Sequence, residues 1–249
     1  MQTTTIDIET IHPHWKAPED DQGKFAPLPE HVPAVISWLV ADPAKKLFEL
    51  HSYVRDDDGR GEPKALADLG QAIRGSQRIV TWNGRGFDMP LLSLRAMAAG
   101  VDWSFWRGMS HRYGNFKQAL IHHDLMDLLG DQGGVRAIPM DGVARLLGLP
   151  GKRDITGADV ERVWSEKGGP ERVRLYCQED VISTYLIYLR WCQTLEGVAA
   201  AAKVWNQVLA WAAEAVGEPW KALLSPSGAK VESRKETPRE REREPGEEG

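Results

Sequence analysis

The sequence predicts an α/β fold in which a mixed β-sheet is flanked by helices. Two observations carry that expectation. The first third of the chain reads as strands: TTIDIET alternates in period two, AVISWLVAD is a short apolar run, and KKLFELHSYV follows it. After one helical stretch, KALADLGQAIRG, and one more buried strand, QRIVTW, the chain turns largely helical from Asp88 onward. Strands, then a helix and a strand, then helices is the order of a layered α/β domain.

Each element follows from its pattern. The first three strands lie close enough in sequence for antiparallel hairpins, and RDDDGRGEP marks the turn after them. The fourth strand, reached through a helix, is expected to lie parallel to the first by a right-handed crossover. That puts the C-terminal ends of strands one and four side by side, at the edge where functional loops of open α/β sheets gather. Further helices are expected at residues 88–99, 117–129, 139–147, 157–167, 170–194 and 197–216. Residues 1–224 are expected to form one domain. Residues 225–249, ending in GAKVESRKETPREREREPGEEG, hold almost no apolar side chains and read as a disordered, solubilising tail.

Composition narrows the function classes. The 249 residues are 42% hydrophobic with a formal net charge of -5. No stretch approaches the roughly 18–20 apolar residues that span a bilayer. The opening MQTTTIDIET lacks the basic patch and cleavage site of a secretory signal, so a cytoplasmic location without a membrane partner is expected. Cys177 and Cys192, fifteen residues apart on one predicted helix, support neither a disulfide framework nor a zinc site. The negative charge disfavours a protein that coats nucleic acid indiscriminately. It does not disfavour an enzyme acting on a strand end, where carboxylate-bound cations cancel charge locally.

Three elements carry candidate chemistry. Asp7 and Glu9 sit two apart in the first strand and so point to one face, while Ile6 and Ile8 point to the other and are expected to be buried. In WNGRGFDMPLL, residues 82–92, a strand runs into a glycine-containing loop and re-enters a helix near Asp88. Asp88 would serve as an N-cap with Pro90 in the first turn, but capping does not explain Asn83, Phe87 and Asp88 arriving together. In RLYCQEDVISTYLIYLRW, residues 174–191, Tyr176 and Asp180 are four apart and share a helical face. An aspartate inside an apolar helix needs a partner, either a metal ion or an arginine. Tyr185 and Tyr188 read as aromatic packing.

D-x-E, N-x-x-x-F-D and Y-x-x-x-D, in that order and in strand, loop-helix and helix contexts, resemble the DEDD (DnaQ-like) 3′–5′ exonuclease superfamily. HHDLMDLLG, GLPGK and YCQEDVISTYLIYLRW extend the likeness across about residues 4–192 to predicted family-B-polymerase-like 3′–5′ exonucleases. The resemblance implies an RNase H-like sheet and activity on the 3′ end of single-stranded nucleic acid, with DNA ranked ahead of RNA, releasing nucleoside monophosphates. It makes Asp7, Glu9, Asp88 and Asp180 the metal-binding carboxylates and Tyr176 the group that orients the attacking water. Leu175 stands where a second branch carries histidine, which places the chain in the tyrosine branch. Two Mg²⁺ or Mn²⁺ ions about 3.5–4 Å apart would hold the nucleophile and stabilise the leaving oxygen, and oxygen ligands suit such hard cations. Asp7 is expected to bridge both ions. A phenol with a pKa near 10 orients water better than it deprotonates it.

Substrate contacts are expected from Asn83, Arg85 and Phe87 beside the metals. FWRGMSHRYGNFK, residues 105–117, interleaves aromatics with Arg107, His111, Arg112 and Lys117, a pattern suited to stacking bases and tracking phosphates. It reads equally as a basic surface loop with two aromatics packed inward. Lys152 and Arg153 reach phosphate on one reading and form a plain loop on the other. Asp124, Asp127, His122 and His123 are assigned structural roles, and most of the ten tryptophans core or edge packing. Two competing functions remain: a nucleic-acid-binding module of the same fold that does not cut, and an endonuclease with a related sheet. The retained carboxylates and tyrosine weigh against the first, and the Y-x-x-x-D helix against the second.

Overall fold

The protein is described by a computed structural model covering residues 1–16, 25–109, 121–132, 134–135, 137–151 and 154–224. Strands β1 (Thr3–Ile11), β2 (Val32–Asp42), β3 (Leu47–Val54), β4 (Arg78–Thr81) and β5 (His122–Asp124) form one sheet in the order β3-β2-β1-β4-β5. β1 to β3 pair antiparallel, whereas β4 lies parallel to β1 and β5 parallel to β4. The sheet is therefore mixed, with β1 at its centre.

The helices are α1 (Glu62–Gly75), α2 (Asp88–Ala99), α3 (Ser104–Met109), α4 (Leu125–Leu129), α5 (Met140–Leu146), α6 (Val160–Trp164), α7 (Gly169–Thr194), α8 (Ala201–Ala215) and α9 (Trp220–Leu224). Alternation along the strands builds two cores. On one face Ile6, Ile8, Ile36 and Trp38 pack with Leu66, Leu69 and Ile73 of α1 and Met89, Leu91 and Leu92 of α2. On the other, Val35 meets Val173 and Cys177 of α7, while Leu39 and Ala41 pack with Val181, Tyr185 and Tyr188. α8 adds Trp205 and Val208 outside α7. The result is helix, sheet, helix.

The structure departs from the prediction at one of the expected helices. Residues 117–120 of the expected helix 117–129 lie outside the described residues, and in its described part the helix begins only at Leu125, because His122–Asp124 instead pairs with Ile79–Thr81 as a fifth strand. Three residues are too few to show a period of two, and the helical spacing after them masks the strand. Two short helices, α3 and α9, also went unpredicted. The tail, residues 225–249, lies outside the described residues. Among the described residues no helix is long and apolar enough to cross a membrane.

Candidate active site

Asp7 and Glu9 project from β1 toward α7, opposite to the buried Ile6 and Ile8. A register irregularity between Glu9 and Thr10 ends the regular pairing with β2 just beyond them. α7 crosses this face and brings Tyr176 and Asp180, one turn apart, over the same spot. One oxygen each from Asp7, Glu9 and Asp180 lie within 4.8 Å of one another.

Asp88 arrives from the parallel neighbour β4. The connecting loop is tight for definable reasons. Asn83 takes φ 59°, a left-handed conformation asparagine tolerates. A side chain at Gly84 would run into Thr81, and a Cβ at Gly86 would sit 2.5 Å from Oδ1 of Asn83. Asp124, at the end of β5, accepts from the amides of Asn83 (2.9 Å) and Arg85 (2.8 Å) and caps α4 through Met126 (3.2 Å). Phe87, not Asp88, occupies the cap position of α2. The Asp88 carboxylate lies instead beside its own main-chain N–H and the main chain of Ile8 on β1, both of which favour its charged form.

The electrostatics follow from this crowding. Burial first, then the charges of Glu9, Asp180 and Asp88, push the Asp7 carboxyl well above the usual range. Burial, aided by Asp124, raises Asp88 to about 7 against the hydrogen bonds that lower it. Burial and the charges of Asp180, Glu9 and Asp7 drive the Tyr176 phenol upward, and its hydroxyl donates to Asp180. Tyr176 therefore keeps its proton at neutral pH. Such a set of desolvated, mutually repelling carboxylates suits a hard cation, which prefers oxygen ligands and relieves the repulsion.

Asp7, Glu9, Asp88, Asp180 and Tyr176 all line one cavity of about 530 Å³, together with Trp82, Asn83, Phe87 and Asp141. Phe87 also meets His31 edge-on (centroids 5.1 Å) and Phe25 (5.7 Å), which extends an aromatic surface from the acidic centre to an exposed ring. A second, more apolar cavity of about 590 Å³ behind α2 contains none of the carboxylates.

Of the predicted substrate contacts, Asn83 and Phe87 thus border the acidic cavity. Arg85 turns away from it: its guanidinium donates to the carbonyl of His122 (2.7 Å) and to Asp127 (3.4 Å), and it lines the apolar cavity. Arg107 falls in α3, and Arg112, His111, Lys117, Lys152 and Arg153 lie outside the described residues. His122 bonds Thr81 (2.9 Å) and is held neutral, its pKa pulled to about 3 by burial, Arg85 and His123. His123 packs edge-on against Tyr188 and Trp191. Cys177 and Cys192 are free thiols.

Two neighbours of the centre were not anticipated. Asp141, in the first turn of α5, lines the cavity and pairs with Arg145. An acidic residue in a first turn is too common to flag. Cys177 lies against Asp7, and its adjacency to Tyr176 was the available signal.

Comparison with known proteins gives a consistent picture. Residues 23–221 match the family described as "Predicted 3'-5' exonuclease related to the exonuclease domain of PolB", a match that begins after β1 and its Asp7 and Glu9. A DNA polymerase of Archaeoglobus fulgidus is 29% identical over 163 residues, 61% of this chain and 21% of that polymerase. The solved family B DNA polymerase of Pyrobaculum calidifontis matches with a TM-score of 0.52 and 22% identity, over 76% of this chain and 25% of its own, a likeness of fold. The chain thus spans between 21% and 25% of the length of these relatives.

Proposed function

This chain belongs to the family of predicted 3′–5′ exonucleases related to the exonuclease domain of PolB, and from that premise we propose that it hydrolyses the 3′-terminal phosphodiester of single-stranded nucleic acid. One observation carries the reading. Carboxylate oxygens from distant parts of the sequence, Asp7 and Glu9 on β1 and Asp180 on α7, come within 4.8 Å of one another in a cavity that also holds Asp88. A binding surface for polyanions has no use for such a concentration of negative charge.

Asp7, Glu9, Asp88 and Asp180 are the residues to hold a pair of Mg²⁺ or Mn²⁺ ions. Bound there, the ions would supply an activated water and charge stabilisation at the leaving 3′ oxygen. The chain's own residues do the rest. Tyr176, protonated and anchored on Asp180, offers its phenol oxygen as acceptor for a water proton and so sets the direction of attack. Phe87, backed by His31 and Phe25, gives the terminal base an aromatic face on which to stack. Stacking of this kind accepts any base, as an exonuclease requires, and DNA is the proposed polymer.

The test uses 5′-labelled single-stranded DNA and RNA, with Mn²⁺ or with EDTA. A ladder shortening from the 3′ end only with metal, faster on DNA, is the expected result. Binding without shortening would instead identify a silent nucleic-acid-binding module, and internal fragments an endonuclease.

A further inference from the structure

We propose that Cys177, at the end of a line of polar side chains crossing the sheet, is a positioning residue that orients the Asp7 carboxylate for cation binding. The inference rests on the reading of Asp7 as a metal ligand given above. The Cys177 sulfur is buried and lies 3.3 Å from Oδ2 of Asp7 and 3.4 Å from its main-chain oxygen. Both atoms are acceptors, so the thiol donates. On its other side the sulfur is next to the hydroxyl of Ser37, which interacts with it. Ser37 Oγ is 2.9 Å from Ser52 Oγ, which in turn accepts from Nε2 of Gln178 at 2.9 Å.

The ends of this line fix its sense. Gln178 donates through its amide nitrogen at one end, and the main-chain oxygen of Asp7 can only accept at the other. Each hydroxyl between them accepts from the Gln178 side and donates toward Asp7. Hydrogen bonds aligned in one sense polarise one another, so the thiol at the end donates better than it would alone.

The placement is specific to the fold. Asp7, Ser37 and Ser52 are direct partners in the register across β1, β2 and β3, on the face covered by α7. α7 supplies Cys177 and Gln178 from consecutive positions. Flanking residues of β2 on that face, Val35 and Leu39, are core. Polar groups in such a layer cost stability unless each is bonded, and here Gln178, Ser52 and Ser37 bond one another and Cys177 bonds Asp7 at the acidic centre. The chemistry of the donor matters too. A lysine or arginine at this place would neutralise Asp7 and compete with a cation. A thiol orients the carboxylate and leaves its charge intact.

The experiment measures Mn²⁺ binding to the whole chain by electron paramagnetic resonance, without nucleic acid. Cys177→Val fills the volume and removes the donor, Cys177→Ser keeps a donor, and Ser37→Ala breaks the line one step back. Cys177→Val should weaken Mn²⁺ binding by roughly 10-fold, in the range for residues that orient metal ligands. Ser37→Ala should weaken it less, and Cys177→Ser should stay close to wild type. Wild-type affinity in both Cys177→Val and Ser37→Ala overturns the positioning role and leaves the metal reading standing. Equal losses in Cys177→Ser and Cys177→Val overturn it too, because volume would then be what matters. Failure of the wild type to bind Mn²⁺ overturns both. Should Cys177→Val not fold, Ser37→Ala decides alone.

Discussion

On the face of β1 that looks toward α1 and α2, Ile6 and Ile8 are buried among leucines and isoleucines. One residue further along, on the opposite face, Asp7 and Glu9 are pressed against Asp180 under α7. The same few residues of backbone thus serve two purposes at opposite thermodynamic sign. Burial of the isoleucines contributes about 1.5–3 kcal/mol each. Burial of the carboxylates raises the Asp7 and Asp88 pKa values and so costs stability at neutral pH. The apolar face thus offsets part of what the acidic face costs.

That contrast can be broken from either side. The largest effect is expected from Asp7→Asn. Hydrolysis of a labelled single strand should fall by at least about 10³-fold, the scale of several kcal/mol of lost charge stabilisation. The melting temperature in EDTA at pH 8 should rise, because a repelling charge has gone; a fall would show that the acidic face stabilises the metal-free fold. Ile6→Ala makes the opposite cut. It should cost about 2–5 kcal/mol in chemical denaturation, while the fraction still folded retains its turnover number.

A third, smaller effect sharpens the comparison by changing only the solvent. Asp88 is raised from 3.8 to about 7 in the folded protein, so between those values the folded state binds the extra proton. Its penalty is absent below pH 4, grows as pH rises and is complete above 7. A divalent cation relieves what the proton relieves. Saturating Mn²⁺ should therefore raise the melting temperature more at pH 8 than at pH 5, with about 2.7 kcal/mol of stabilisation at 100 times its Kd. An equal gain at both values would show that the ion does not pair with these carboxylates.

Much of this architecture was legible in the amino-acid order. Alternation in TTIDIET placed Asp7 and Glu9 on one side and two isoleucines on the other, and the spacing of Tyr176 and Asp180 put them on one helical face. Both are local periodicities, readable wherever an element runs long enough to repeat. β5 was too short for that. His122–Asp124 is a strand only because Ile79–Thr81 offers it an edge, and pairing with a distant segment leaves no mark in three residues.

The sequence by itself determined which side chains each strand and helix presents together, because backbone geometry dictates that. Only the tertiary structure decided which presented faces meet. It turned the Arg85 guanidinium toward His122 and Asp127 and away from the acidic cavity. It also brought Asp141 to the rim and set Ser37, Ser52 and Cys177 in line behind Asp7. These are contacts between elements far apart along the chain, fixed by strand register and by the packing of α7 across the sheet, and no local pattern encodes them.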